Sequence, residues 1–138
     1  MKPEGFPRRL RLRRRREFLR VQRGGRKVHT RFFLVFVAPT PRGVIEEGIG
    51  DGNPGLPGPR LGVTVTRKVG KAVKRNRIKR LVREAYRRER GSLPTGLDMV
   101  WVAKREAVET TLTAVLLDMR TLAERLHRAP LHSSKGSR

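Results

Sequence analysis

The densest chemistry in the sequence lies between Lys71 and Arg87. Lys71, Lys74, Arg75, Arg77, Lys79, Arg80, Arg83 and Arg87 crowd this stretch, with Asn76 among them and Glu84 its one acid. Cationic groups at this density suit the binding of a polyanion, and the planar fork of Arg meets a phosphate with two hydrogen bonds. At about 100° per residue, Ile78, Leu81, Val82, Ala85 and Tyr86 share one face of a helix. Asn76, Arg80, Arg83 and Arg87 share the opposite one. The spacing predicts a helix that buries one side and presents a ridge of guanidinium groups on the other. A merely soluble face would mix signs. Glu84 can pair with Arg80 or Arg88 one turn away, which would fix the ridge rather than cancel it.

The rest of the composition agrees. The 138 residues hold 34 Lys+Arg against 12 Asp+Glu, a net charge of +22, and Arg outnumbers Lys by 26 to 8. A surface so one-sided repels itself unless it meets a polyanion, and nucleic acid is the leading candidate. There is no cysteine, which excludes disulfides, thiolate metal sites and thiol catalysis and fits a cytoplasmic location. His29, His127 and His132 are scattered, and no paired carboxylates stand in the basic region, so catalysis by the protein's own side chains has little support. Asp98 reads as a turn residue at a strand start and Asp118 as a helix-surface acid. The longest apolar run, Phe32 to Ala38, is far short of the roughly 18 residues of a membrane span. No secretory signal is expected at the basic N-terminus, and the basic helix lacks the aromatic face of a membrane anchor. No helix-turn-helix pattern points to DNA.

One small domain is expected to position these residues. A basic tail leads into a short helix from about Arg13 to Arg23, stopped by Gly24-Gly25. Arg26–His29 is extended, and Phe32–Ala38 is a strand rich in aromatic and β-branched residues. From Pro39 to Pro59, six glycines and five prolines in 21 residues mark a loop or insertion without regular structure. Leu61–Thr66 alternates as a half-buried strand and Asp98–Ala103 is a more continuously apolar one. A last helix from about Ala107 to His127 carries Val108, Leu112, Val115, Met119, Leu122, Ala123 and Leu126 at helical spacing. The ordered core is expected over about 8–128, with a flexible tail over 129–138. Helix, strands, helix, strand, helix in one short chain point to an α+β domain with helices packed on a small sheet.

The run from Arg60 through Arg87, RLGVTVTRKVGKAVKRNRIKRLVREAYR, closely resembles the signature region of the bacterial ribonuclease P protein subunit. The upstream RLRRRREFLRVQRGGR and downstream LDMVWVAKREAV match in order and spacing, so that the resemblance covers roughly residues 8–128 outside the Gly/Pro insertion. The resemblance implies the order αβββαβα, three helices packed on a four-stranded sheet, with a left-handed crossover at the basic helix, against the usual right-handed rule. It implies that a large RNA subunit cleaves precursor tRNA with metal ions, to make the mature 5′ end. The protein's part would be to bind that RNA through the basic crossover and the 5′ leader of the substrate in a cleft. Mg²⁺ would be held mainly by RNA, with no organic cofactor.

The cleft has its own support in the pattern. If Phe33, Val35 and Val37 point into the core, Phe36 lies on the open face of the sheet. In the next strand Val63 and Val65 would point inward and Thr64 and Thr66 outward, with Phe18 of the first helix closing one wall. Rings beside small polar groups and flanking bases, here Arg60, Arg67 and Lys68, suit single-stranded RNA. Pattern alone favours ordinary core for Phe18 and Phe36; the resemblance aligns both with leader-contacting aromatics. The family usually carries a second aromatic one turn after Phe18, where this sequence has Gln22. A structural RNA-binding protein of the ribosome is the alternative, accounting for charge and size but not for the match over Lys74–Glu84.

Overall fold

The computed structural model describes residues 10–43 and 59–131. Expectations for the N-terminal tail before Leu10, for most of the Gly/Pro-rich stretch and for the tail after Leu131 lie outside the described residues. Seven principal elements follow in the expected order: α1 (Arg15–Gly24), β1 (Arg26–His29), β2 (Phe33–Pro39), β3 (Arg60–Thr64), α2 (Ala72–Glu89), β4 (Leu97–Ala103) and α3 (Leu112–Arg128). The sheet has the order β1-β2-β4-β3. β1 with β2 and β2 with β4 are antiparallel, whereas β3 and β4 are parallel and are joined through α2.

Strand parity divides the core in two. Phe33, Val35 and Val37 of β2, with Met99 and Trp101 of β4, face α2 and α3. From those helices Ile78, Val82, Ala85 and Tyr86, then Val115, Met119, Leu122 and Leu126, complete the larger cluster. The opposite face puts Phe36, Ala38 and Val100 beneath α1, against Val21 and Leu12. One helix therefore covers one face of the sheet and two cover the other. The apolar face read for α2 is the buried one, with Leu81 partly covered at its margin. The Tyr86 hydroxyl donates to the Pro59 carbonyl and ties α2 to the start of β3.

Three expectations are corrected here. The last helix begins at Leu112 rather than Ala107, because the Thr111 hydroxyl caps it by accepting from the Ala114 amide (3.2 Å); Val108 lies in a preceding 3₁₀ turn, Arg105–Glu109. Asp118 is buried, and its carboxylate accepts the Phe32 amide at 3.1 Å, which takes it off the helix surface. Asp98 is no loose turn residue. It is fully buried and sits across from Arg60 in the β3–β4 register, where two neighbouring side chains on one face must either pair or leave a charge uncompensated.

Candidate nucleic-acid interface

α2 presents its basic side as the periodicity implies. Lys71, Lys74, Asn76 and Arg80 are exposed, while Arg75, Arg77, Lys79, Arg83 and Arg87 are half-buried. Two of these bases are aimed by carbonyl groups, which fixes direction without cancelling charge. The Arg75 Nε donates to Gly70 at 3.1 Å and an Arg77 guanidinium nitrogen donates to Thr110 at 2.8 Å. Lys74 has a loose, exposed pairing with Glu109 at 3.5 Å.

Glu84 pairs forward with Arg87 (2.5 Å) and Arg88 (2.8 Å), not with Arg80. An acid placed N-terminal to its base is the better orientation on a helix. Those hydrogen bonds, Arg87's first, hold the Glu84 carboxyl below its usual range. Among the described residues, the pairing leaves Arg80 and Arg83 as the ridge arginines held by neither Glu84 nor a carbonyl. Burial, and then the positive charge of Arg11, lowers the pKa of Arg83. Arg11 comes near because residues 10–12 run beside β3: Arg11 bridges to Leu61, and the Leu12 amide donates to the Leu61 carbonyl at 2.9 Å.

Between α1 and α2 lies a cleft of about 480 Å³, lined by Arg13, Arg15, Phe18, Leu19, Gln22, Val63, Thr64, Val65 and Lys79. Phe18, Gln22 and Thr64 thus come together as expected. Phe18 can sit so low because Gly62 has no side chain: a Cβ there would stand 2.7 Å from the ring. Lys79, read from the sequence with the ridge, points a cation at this cleft. Arg13, Arg15 and Leu19 line the cleft without having been picked out by the sequence; the two arginines belong to the run Arg13–Arg16 that leads into α1, and that run beside an aromatic was the available signal.

The remaining cleft residues are placed elsewhere. Phe36 is on the predicted face but is only 8% exposed, because α1 covers it; it is core rather than an open ring. β3 ends at Thr64, so Thr66 lies outside the strand, exposed at the turn that carries Arg67 and Lys68. Arg60 is buried and does not flank the cleft. Its Nε and one terminal nitrogen each reach Asp98 at 2.8 Å, and its other terminal nitrogen reaches Glu17 at 3.4 Å. Burial disfavours its charge, yet Asp98 and then Glu17 outweigh that and raise its pKa.

Among the described residues no group of three or more His, Cys, Asp or Glu could hold a metal ion. Asp98 and Asp118 are engaged by arginines, a threonine and a backbone amide. Among the described residues, too, no helix is long and apolar enough to cross a membrane.

Fold and site define a one-sheet α+β protein with a basic helix beside a cationic, aromatic-walled cleft. A family model, Ribonuclease P, matches residues 6–127. The ribonuclease P protein component of Desulfovibrio desulfuricans is 46% identical over 125 residues, covering 89% of this chain and 87% of that one. Its counterpart from Thermotoga maritima is 38% identical over 106 residues, covering 77% and 79%. The solved RNase P protein from Thermotoga maritima is similar at a TM-score of 0.67 and 31% identity, covering 83% and 96% of the two chains. That of Staphylococcus aureus, at 24% identity, shares the fold with a TM-score of 0.65, covering 84% and 94%. The chain belongs to the ribonuclease P protein component family, and with it to RNA binding and tRNA processing.

Proposed function

We propose that this chain binds the catalytic RNA of ribonuclease P along α2 and receives the 5′ leader of precursor tRNA in the cleft between α1 and α2. The chemical step is carried by the RNA, with Mg²⁺ held mainly by its phosphates. The protein's side chains supply binding and orientation. Arg80 and Arg83 take phosphates of the RNA subunit, and Phe18 offers a ring to an unpaired base while Gln22 and Thr64 offer hydrogen bonds. Arg13, Arg15 and Lys79 stand where the leader's phosphates would pass.

The observation that carries this reading is the adjacency of the two features: Lys79 belongs to the basic helix and also lines the cleft that Phe18 closes. RNA seated on the helix and a single strand in the cleft would then lie side by side. Reconstitution tests it. Added to a bacterial ribonuclease P RNA at low Mg²⁺, the protein should raise cleavage of precursor tRNA, and more so with a leader than with a minimal one. No stimulation would sink the reading, and co-purification with ribosomes but not with that RNA would favour the ribosomal alternative.

A further inference from the structure

Four charged side chains meet where α1 packs on the sheet: Asp98 and Arg60 are buried there, and Glu17 and Arg20 of α1 are half-buried. The Asp98 carboxylate, fully buried, accepts from the Nε and one terminal nitrogen of Arg60, from the Thr40 hydroxyl at 2.9 Å and from Arg20. Arg20 also reaches the Pro39 carbonyl at 3.4 Å, and Arg60 reaches Glu17. Glu17 in turn accepts the Arg13 amide at 3.1 Å and the Arg14 amide at 3.3 Å, closing the first turn of α1. Two acids and two bases balance, so the cluster offers no surplus charge to a ligand. It joins α1, through Glu17 and Arg20, to the end of β2, the start of β3 and the start of β4.

Its position on α1 gives it leverage. At about 100° per residue, Arg20 and Phe18 project some 160° apart around the helix axis, with Val21 buried between them. The ion pairs grip one flank of α1 while the cleft is formed by the other. Nothing else polar among the described contacts ties α1 side chains to the sheet. On its own flank Phe18 is seated on Gly62 by packing rather than by a polar contact. A helix released on the Arg20 side can roll, and the roll is read out as movement of Phe18 and Gln22.

We propose that Asp98, acting through Arg20 and Glu17, is the positioning element that sets the roll of α1 and thereby the shape of the cleft. The consequence for leader binding rests on the function proposed above; the geometric claim does not. Asp98 is then neither a general acid nor a metal ligand, and Arg20 contributes without touching RNA.

The test uses the full chain, free and assembled with a bacterial ribonuclease P RNA. In the free protein the Phe18 ring current should displace the Gly62 amide proton signal. Arg20→Met should move that signal toward its unshifted value while amides of α2 and α3 stay in place, and Glu17→Gln should move it less. In the holoenzyme Arg20→Met should weaken precursor-tRNA binding by about 3- to 10-fold, the range for a lost positioning contact. Binding of mature tRNA and the salt dependence should be unchanged. Combined with Phe18→Ala, Arg20→Met should add nothing further, because it acts through that ring. Arg20→Lys should restore part of both signals, and it also serves if Arg20→Met does not fold. A Gly62 signal that stays put in Arg20→Met and Glu17→Gln overturns the proposal, as does a reduced salt slope, which would put Arg20 on a phosphate. A displaced Gly62 signal with unchanged precursor binding upholds the positioning role and removes the leader from this cleft instead.

Discussion

The ring of Phe18 lies over the backbone of Gly62, so closely that a β-carbon at residue 62 would stand 2.7 Å from two ring atoms and 3.2 Å from Leu12. The glycine is there for close approach between a helix and a strand. That contact seats the ring that lines the cleft, and it makes the first prediction. Gly62→Ala should force the ring outward and cost about 1–3 kcal/mol of stability, as overpacking does. The chain should still fold, since the displaced group is the end of a side chain at the cleft margin. Precursor-tRNA affinity should fall while mature-tRNA affinity holds. Thermal melting with paired binding titrations checks this, and an unchanged melting temperature would mean that the ring does not rest on Gly62.

The second prediction concerns Arg83, whose charge burial and Arg11 disfavour. A phosphate would relieve that situation. Arg83→Met should therefore leave the free protein at least as stable as the parent while weakening its binding to the RNA subunit. Losing one phosphate contact should lower the slope of log affinity against log salt by roughly 0.7–0.9. Arg80→Ala, at an exposed position, should lower the slope by a similar amount without moving the melting temperature. Unchanged slopes in both variants would return this face of α2 to the solvent.

How much of this was legible in the sequence depends on the range of the interaction. The faces of α2 follow from local periodicity, because Ile78, Val82, Ala85 and Tyr86 repeat with the helix and the bases fill the complement. The two sides of β2 follow from alternation, which separated Phe33, Val35 and Val37 from Phe36. Alternation does not say what covers the second side, so Phe36 read as open when α1 lies on it. The partners of Asp98 were hidden for a related reason: Arg20, Arg60 and Thr40 are distant along the chain and meet only once the strands align and α1 packs on the sheet. A weaker signal was present for Asp118. It falls three residues after Val115 and four before Leu122, on the face that must be buried, where an acid demands a donor.

The third prediction is a pH dependence. The hydrogen bonds of Arg87 and then Arg88 depress the folded-state pKa of Glu84 below its unfolded value. The stabilisation is therefore present above the unfolded pKa and is lost as pH falls through the lower, folded one. The pairs are partly exposed, so the effect is small: about 0.3–0.5 kcal/mol per pair before screening. Glu84→Gln should melt about 1–3 °C below the parent at neutral pH. The gap should close in acid, below the usual carboxylate range, and shrink in high salt. A gap that persists unchanged into strong acid would assign the difference to packing rather than to charge.

The fourth prediction separates the two phenylalanines on the α1 side of the sheet. Phe36 is almost wholly buried in the cluster with Leu12, Val21, Ala38 and Val100, so Phe36→Ala leaves a cavity and should cost about 3–5 kcal/mol. Any loss of substrate binding should follow the loss of fold and affect precursor and mature tRNA alike. Phe18 is half-buried and lines the cleft. Base–aromatic stacking is worth about 1–3 kcal/mol, so Phe18→Ala should weaken precursor binding roughly 5- to 100-fold. Mature tRNA, which lacks the leader, should bind as before, and Gln22→Phe should tighten precursor binding by widening the stacking surface. Affinities for both tRNA forms, measured below the melting temperature of each variant, distinguish the cases. If Phe36→Ala folds and loses precursor binding alone, α1 must lift from the sheet when the leader enters, and the ring beneath it is the one that stacks.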